Sequence, residues 1–141
     1  MGCDIHMILE RKWRDKWVGV CEIDSVARER NYDLFGRLAG VRRGDEDSPD
    51  PRGVPDDASD LSKMEIEGWG HGAHSHSWAT LDEFLTAYIK TAPDSQRAKW
   101  VADRLESGSN DLKYRLTLEL FRLYLDEHHD DEFRLVYWFD N

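Results

Sequence analysis

The sequence predicts an α+β fold, in which a small antiparallel sheet includes both terminal strands and is covered by helices on one face. Three observations support this prediction. Residues 3–10 alternate between apolar and polar side chains, residues 133–139 form an aromatic-rich segment at the other terminus, and helical patterns lie between them. The chain of 141 residues is long enough for a sizeable core, so we expect a single domain spanning residues 1–141.

The first strand should present two different faces, because successive side chains of a strand point in opposite directions. One row is apolar and contains Cys3, Ile5, Met7 and Leu9, whereas the other contains Asp4, His6, Ile8 and Glu10. A charged turn over 11–16 and a return strand over 17–23 complete a predicted hairpin. If the terminal strand lies beside the first, Asp140 or Asn141 comes near one end of the Asp4 and His6 row.

Helix signals occupy the middle of the chain. Residues 32–40 form a short predicted helix with Asn31 as N-cap and Gly40 as its stop, and a brief helix over 57–67 should turn Leu61, Met64 and Ile66 inward. Thr80 and Glu83 form a capping box for the next helix, which Pro93 should end. Two further helices are predicted over 95–106 and 111–127.

A long loop is predicted over residues 42–60, which contain three of the four prolines and many acidic residues. The segments beside it are each too small to fold alone, so it is not a linker between domains. Loops of this length in compact domains commonly serve as functional lids or are disordered.

Composition excludes several classes of partner. The formal net charge of −10 would repel duplex nucleic acid and anionic membranes, and no segment is long and apolar enough for a membrane span. The chain has no signal-peptide pattern, and its two cysteines, Cys3 and Cys21, are best explained as reduced thiols in a cytoplasmic protein. A homo-oligomer is left open.

Histidines suggest a metal site. An Asp-x-His pair at Asp4 and His6 and a His-x-His pair at His74 and His76 each place two side chains on one side of a strand. Imidazole and carboxylate suit a divalent ion such as zinc or manganese, so these four residues are the predicted ligands. The alternative is that these histidines only form hydrogen bonds within a sheet.

A second set of residues suggests an anion site. Arg30 and Arg42 flank a helix whose N-terminus lies near Asn31, and guanidinium groups and helix N-termini both bind phosphate. Tyr32 and Trp78 could stack on a base. The alternative is that Arg42 caps the helix C-terminus, that Arg30 is surface charge and that the aromatic rings are core.

Several blocks along the chain resemble a family of small proteins encoded by phages and prophages. These blocks are Met1–His6, Arg30–Phe35 with Leu38–Arg42, Arg52–Asp57, His74–Trp78 and Trp138–Asn141. The family is uncharacterised, so the resemblance implies a phage context and the cytoplasm of the host cell without implying a reaction. It also directs attention to the polar residues of these blocks.

The leading functional hypothesis is an accessory protein, of the counter-defence kind, that acts on a small phosphorylated or nucleotide-like ligand. If it is an enzyme, metal-assisted hydrolysis of a phosphodiester is expected, with Asp56 or Asp140 as general base. One alternative is a binding protein that sequesters a nucleotide-derived immune signal, and another is an acidic protein inhibitor of a host factor. A nucleophilic serine beside His74 is disfavoured, because adjacent positions do not by themselves give the required hydrogen-bond geometry.

Overall fold

The sheet has four antiparallel strands in the order β2-β1-β4-β3. A computed structural model describes residues 2–23, 30–43, 45–91, 126–128 and 130–141. Its strands are β1 (Asp4–Trp13), β2 (Lys16–Glu22), β3 (His74–Thr80) and β4 (Phe133–Asp140). The predicted fold class is confirmed, since both terminal strands lie in this sheet and pair with each other along their length.

The hairpin between β1 and β2 is tighter than predicted. Strand β1 continues to Trp13, which pairs with Lys16, so only Arg14 and Asp15 form the turn. Both have positive φ angles, 49° and 63°, as a two-residue hairpin turn of the favoured hand requires. The prediction of a turn over 11–16 was wrong because cross-strand pairing extends through these charged residues.

The α-helices given in full are α1 (Tyr32–Ala39), α2 (Asp60–Trp69) and α3 (Leu81–Lys90), and a 3₁₀ helix (Gly70–Gly72) follows α2. The predicted caps of α1 are confirmed, because the Asn31 side chain accepts from the Leu34 N–H and Gly40 adopts a left-handed conformation with φ 64°. The capping box of α3 is also confirmed by reciprocal bonds between Thr80 and Glu83. The helix predicted over 95–106, residues 111–125 of the next and the stop at Pro93 lie outside the described residues.

The apolar row of β1 forms the main core with side chains of β4, α1 and α3. Buried members include Ile5, Met7, Leu9, Phe35, Phe84, Leu135, Tyr137 and Phe139. The Tyr137 hydroxyl donates to the Leu38 carbonyl at 3.0 Å, and burial raises the pKa of Tyr137 to about 12. This face of the sheet is therefore closed by α1 and α3.

Helix α2 lies against the opposite face, so the sheet carries helices on both faces, and the prediction that they cover one face was wrong. Its N-cap Ser59 and its Ser62 both bind Glu10, which belongs to the polar row of β1. This attachment sets the rotation of α2, so Ser62 is buried and Met64 is 61% exposed. The expectation that Met64 points inward was wrong, because a position two residues from an inward one lies on the far side of a helix.

None of the helices in the described part of the chain has the length and apolar character needed to cross a membrane.

Candidate functional site at the end of the sheet

Pairing of the two terminal strands brings polar residues from both ends of the chain together. Asp4 lies directly opposite Asp140, and its backbone N–H donates to the Asp140 Oδ1 at 3.3 Å. His6 Nε2 lies 3.1 Å from the other carboxylate oxygen, Oδ2. The expectation that Asp140 would reach the Asp4 and His6 row is confirmed.

The His6 ring lies close to two indoles. Its centroid is 4.1 Å from that of Trp69, at the end of α2, and 6.0 Å from that of its cross-strand neighbour Trp138. Asp140 and the two indoles together hold the imidazole in one orientation. A hydrogen-bonded imidazole and carboxylate can exchange a proton with a bound molecule.

Arg30 closes this end of the sheet with a bidentate ion pair. Its Nε and Nη2 donate to the two oxygens of Asp4 at 2.8 and 3.2 Å. The pair holds the pKa of the Asp4 carboxyl below its usual value, mainly through the hydrogen bond from Arg30. A Cβ at Gly2 would overlap the Arg30 guanidinium, so the glycine is what allows this close approach.

Arg42 lies on the other side of the same sheet end. Its Nη2 donates to the Asn141 Oδ1 at 3.2 Å, and its Cζ lies 5.9 Å from the centroid of the Tyr32 ring. The Tyr32 hydroxyl in turn accepts from the Cys3 N–H at 3.4 Å. Burial raises the pKa of the Cys3 thiol, even though Arg42 acts to lower it.

An open groove of about 570 Å³ runs beside Arg42. It is bounded by the end of α1, the loop after it, the start of β3 and the C-terminus. The groove is lined by Ala39, Gly40, Val41, Arg42, Asp45, Ser48, Pro49, Asp50, Pro51, His74, Ser75 and Asn141. We call this groove, together with Asp4, His6, Arg30, Tyr32 and Asp140, the open end of the sheet.

The start of β3 is irregular where it meets the groove. His74 pairs with Phe139 and Ser77 with Tyr137, so Ser75 and His76 together oppose one residue, Trp138. Ser75 has φ 52°, and its Oγ lies 3.0 Å from His74 Nδ1. This bulge puts a serine hydroxyl and an imidazole in contact, which the sequence analysis did not expect.

Both histidines of this strip have a buried ring nitrogen. Among the described residues, neither His74 Nε2 nor His76 Nε2 has a hydrogen-bond partner. Burial lowers the pKa of His76, and the neighbouring His74 lowers it further. Buried polar atoms that lack a partner are uncommon and mark sites where a ligand or water completes the bonding.

The structure does not bring the four predicted metal ligands together. His6 lies on the face of the sheet that carries Trp138, whereas His74 stacks on Phe139, whose side chain points to the other face. Asp4 is engaged by Arg30. Within the described residues, no three His, Cys, Asp or Glu side chains are arranged to hold a metal ion. A zinc or manganese ion stays a prediction.

Three other predicted site residues lie elsewhere or have structural partners. Asn31 is buried, with its oxygen capping α1 and its nitrogen donating to Thr91. Trp78 lies beneath Arg52, whose Cζ is 4.7 Å from the ring centroid. Asp56 is next to Asp57, which binds Arg134. Because Arg134 is six residues from Asp140 along β4, Asp56 is remote from the open end.

One charged cluster was not predicted from the sequence. Glu10 is fully buried and accepts hydrogen bonds from Arg134, from the Ser59 N–H and from the Ser62 hydroxyl. Arg134 also binds Asp57 and packs over Trp17. The signal was present in the sequence, since Glu10 belongs to the same alternating row as His6. The position of Glu10 opposite Arg134 could not be read from the sequence, because strand register depends on tertiary pairing.

Comparisons of the chain with family models, with curated proteins and with solved structures gave no match.

Proposed function

We propose that this protein binds a small phosphorylated or nucleotide-like ligand at the open end of the sheet and sequesters it. The supporting observation is the location of the strained backbone. Outside the β1–β2 turn, the described non-glycine residues with positive φ are Arg42 and Ser75, and both line the groove. Such conformations cost about 1–3 kcal/mol each and cluster at functional sites.

The charges around the groove suit a ligand with two kinds of polar group. Arg42 offers a guanidinium group, which binds phosphate oxygens through charge-assisted hydrogen bonds. Asp45 and Asp50 also line the groove and offer carboxylates, which accept hydrogen bonds from the amino groups of bases. A nucleotide carries both groups, whereas inorganic phosphate carries only the first.

The phage context is the second part of this proposal, and it rests on the family resemblance of the sequence blocks. An accessory protein that removes a nucleotide-derived immune signal in the host cytoplasm needs tight binding and no turnover. The polar lining of the groove comes from the loop after α1, from the start of β3 and from Asn141, and β3 is held in the sheet by its pairing with β4.

Hydrolysis of the ligand is the second candidate function, and the His6–Asp140 pair favours it. In this version the imidazole and carboxylate transfer protons, as predicted for Asp140. Among the described residues, the four predicted ligands do not come together to hold the predicted zinc or manganese ion, so this candidate relies on the His6–Asp140 pair.

A ligand panel tests both candidates. The chain is incubated with ADP-ribose, cyclic di-AMP or inorganic phosphate, with and without manganese, and unfolding temperature is recorded. Bound ligand is then released by denaturation and identified by chromatography. A raised unfolding temperature with intact nucleotide recovered supports sequestration, and new products support hydrolysis. No response to either nucleotide, together with capture of one host protein, would replace the proposal by the inhibitor alternative.

A further inference from the structure

We propose that Ser75 is a nucleophile activated by His74, so that the groove cleaves a phosphodiester ligand by transferring its phosphorus, with one ester group attached, to the Ser75 hydroxyl. The inference rests on the hydrolysis candidate of the proposed function, because it takes the same groove and the same class of ligand and ends in cleavage of that ligand. It adds a covalent step that neither the sequestration role nor the His6–Asp140 pair contains.

The contact between the two residues is the first argument. Ser75 Oγ lies 3.0 Å from His74 Nδ1, which is within reach for transfer of the hydroxyl proton. With the ring proton on Nε2, the Nδ1 atom is the acceptor and the Ser75 hydroxyl is the donor. Stacking of the His74 ring on Phe139, with 6.2 Å between centroids, supports this orientation of the imidazole.

The backbone at Ser75 is the second argument. A left-handed serine at φ 52° in a β-bulge re-aims its side chain away from the regular alternation of the strand. A strained turn that exposes a serine hydroxyl is also how unrelated hydrolases present their nucleophile. Here the turn brings Ser75 to the wall of the groove, beside His74 and Asn141.

The guanidinium group of Arg42 is the third feature that supports this step. Arg42 lines the same groove and is held there by Asn141 at 3.2 Å. A positioned guanidinium stabilises the charge that develops on phosphoryl oxygens during transfer.

The proposed step is a displacement at phosphorus. Ser75 Oγ bonds to phosphorus, its proton passes to His74 Nδ1, and the bond to the leaving oxygen breaks as that oxygen takes the proton from His74. The products are an alcohol and a phosphodiester on Ser75. Water then attacks this diester, gives a proton to His74, and the bond between phosphorus and Oγ breaks as Ser75 regains its proton.

A fluorophosphonate probe tests the nucleophile without requiring the natural ligand. Ser75 should displace fluoride from the probe, and intact mass followed by peptide mapping should find one adduct per chain at Ser75. Ser75→Gly should abolish labelling while keeping the fold, because glycine adopts the φ of this position without strain. His74→Gln should slow labelling by about 100-fold, the usual contribution of a general base.

One variant serves as a matched control. His71 is exposed and does not line the groove, so His71→Gln should label at the wild-type rate. Absence of the adduct in the folded wild-type chain, or equal labelling of Ser75→Gly, would overturn the proposal. Nucleotide binding measured by the ligand panel would be unaffected by that result, so the two proposals fail separately.

Discussion

The two ends of the β1–β4 pair carry similar charges in opposite surroundings. At one end Asp4 pairs with Arg30, and their side chains are 40% and 54% exposed. At the other end Glu10 pairs with Arg134, and their side chains are 0% and 6% exposed. The cross-strand pairs Asp4–Asp140 and Glu10–Arg134 are six residues apart, or about 20 Å along a strand.

The difference between these ends lies in what covers them. Helix α2 and the segment before it cover Glu10 and Arg134, and three protein groups donate to the Glu10 carboxylate. We call this cluster the closed end. At the open end Arg42, Ser75 and Asn141 line a groove. Buried ion pairs stabilise the fold, whereas exposed charged side chains can exchange their protein partners for a ligand.

The largest expected effect is on stability at the closed end. Glu10→Gln keeps the shape of the side chain but removes the charge that is buried against Arg134, which then keeps only the exposed Asp57 as an ion-pair partner. Breaking a buried pair in this way typically costs about 3–5 kcal/mol. We therefore expect the free energy of unfolding, measured by urea titration, to fall by that amount. Asp4→Asn at the open end is the matched control and should lower it far less. Equal losses at the two ends would refute the distinction.

The next effect is on ligand affinity at the open end. Arg42→Ala removes the guanidinium beside the groove, and a lost hydrogen bond to a charged group costs about 1.5–3 kcal/mol, or roughly 10- to 100-fold in Kd. Calorimetry with ADP-ribose or cyclic di-AMP measures this change. Arg37→Ala is the control, because Arg37 is exposed on the same segment but does not line the groove. A loss shared by both variants would indicate general charge attraction.

The smallest effect concerns the Arg52–Glu83 pair, which fastens the long loop to β3 and α3. Arg52 donates to both Glu83 oxygens at 2.9 Å and lowers the pKa of Glu83 from 4.5 to about 2. A carboxyl group whose pKa is lowered on folding stabilises the folded state at pH values above its pKa in the unfolded chain. This contribution to the free energy of unfolding is lost as the pH falls from 4.5 towards 2.

Glu83→Gln should therefore be less stable than the wild type at pH 6, with the gap narrowing by pH 2. Urea midpoints across this range give the measurement. Because Glu83 is 46% exposed, solvent screening should keep the gap at pH 6 below about 1 kcal/mol. A constant gap across the range would show that the ion pair is not its origin.

Much of the fold could be predicted from local signals. Alternation in β1, the Asn31 and Gly40 caps and the Thr80–Glu83 capping box each act within a few residues, and all three are confirmed. Which face of α2 is buried could not be predicted, because the rotation of this helix depends on the contact between Ser62 and Glu10, which are far apart in sequence.

The candidate site divides in the same way. Asp4, His6 and Asp140 lie close together because the first and last strands pair side by side in antiparallel orientation. The residue patterns of these two strands indicated this pairing. The contact between His74 and Ser75 depends on a bulge and a positive φ that no residue type signals, since serine rarely adopts it. Trp78 and Asp56 carried suitable chemistry, but their surroundings assign them to other parts of the molecule.

The central claim is that ligand binds the open end of the sheet and leaves the closed end untouched. Titration of ¹⁵N-labelled chain with cyclic di-AMP or ADP-ribose, followed by amide chemical shifts, tests it directly. We expect saturable shifts at Arg42, Ser75 and Asn141, with Glu10 and Arg134 unchanged. Shifts centred on Glu10 and Arg134, or no shifts with either nucleotide at millimolar concentration, would contradict the account.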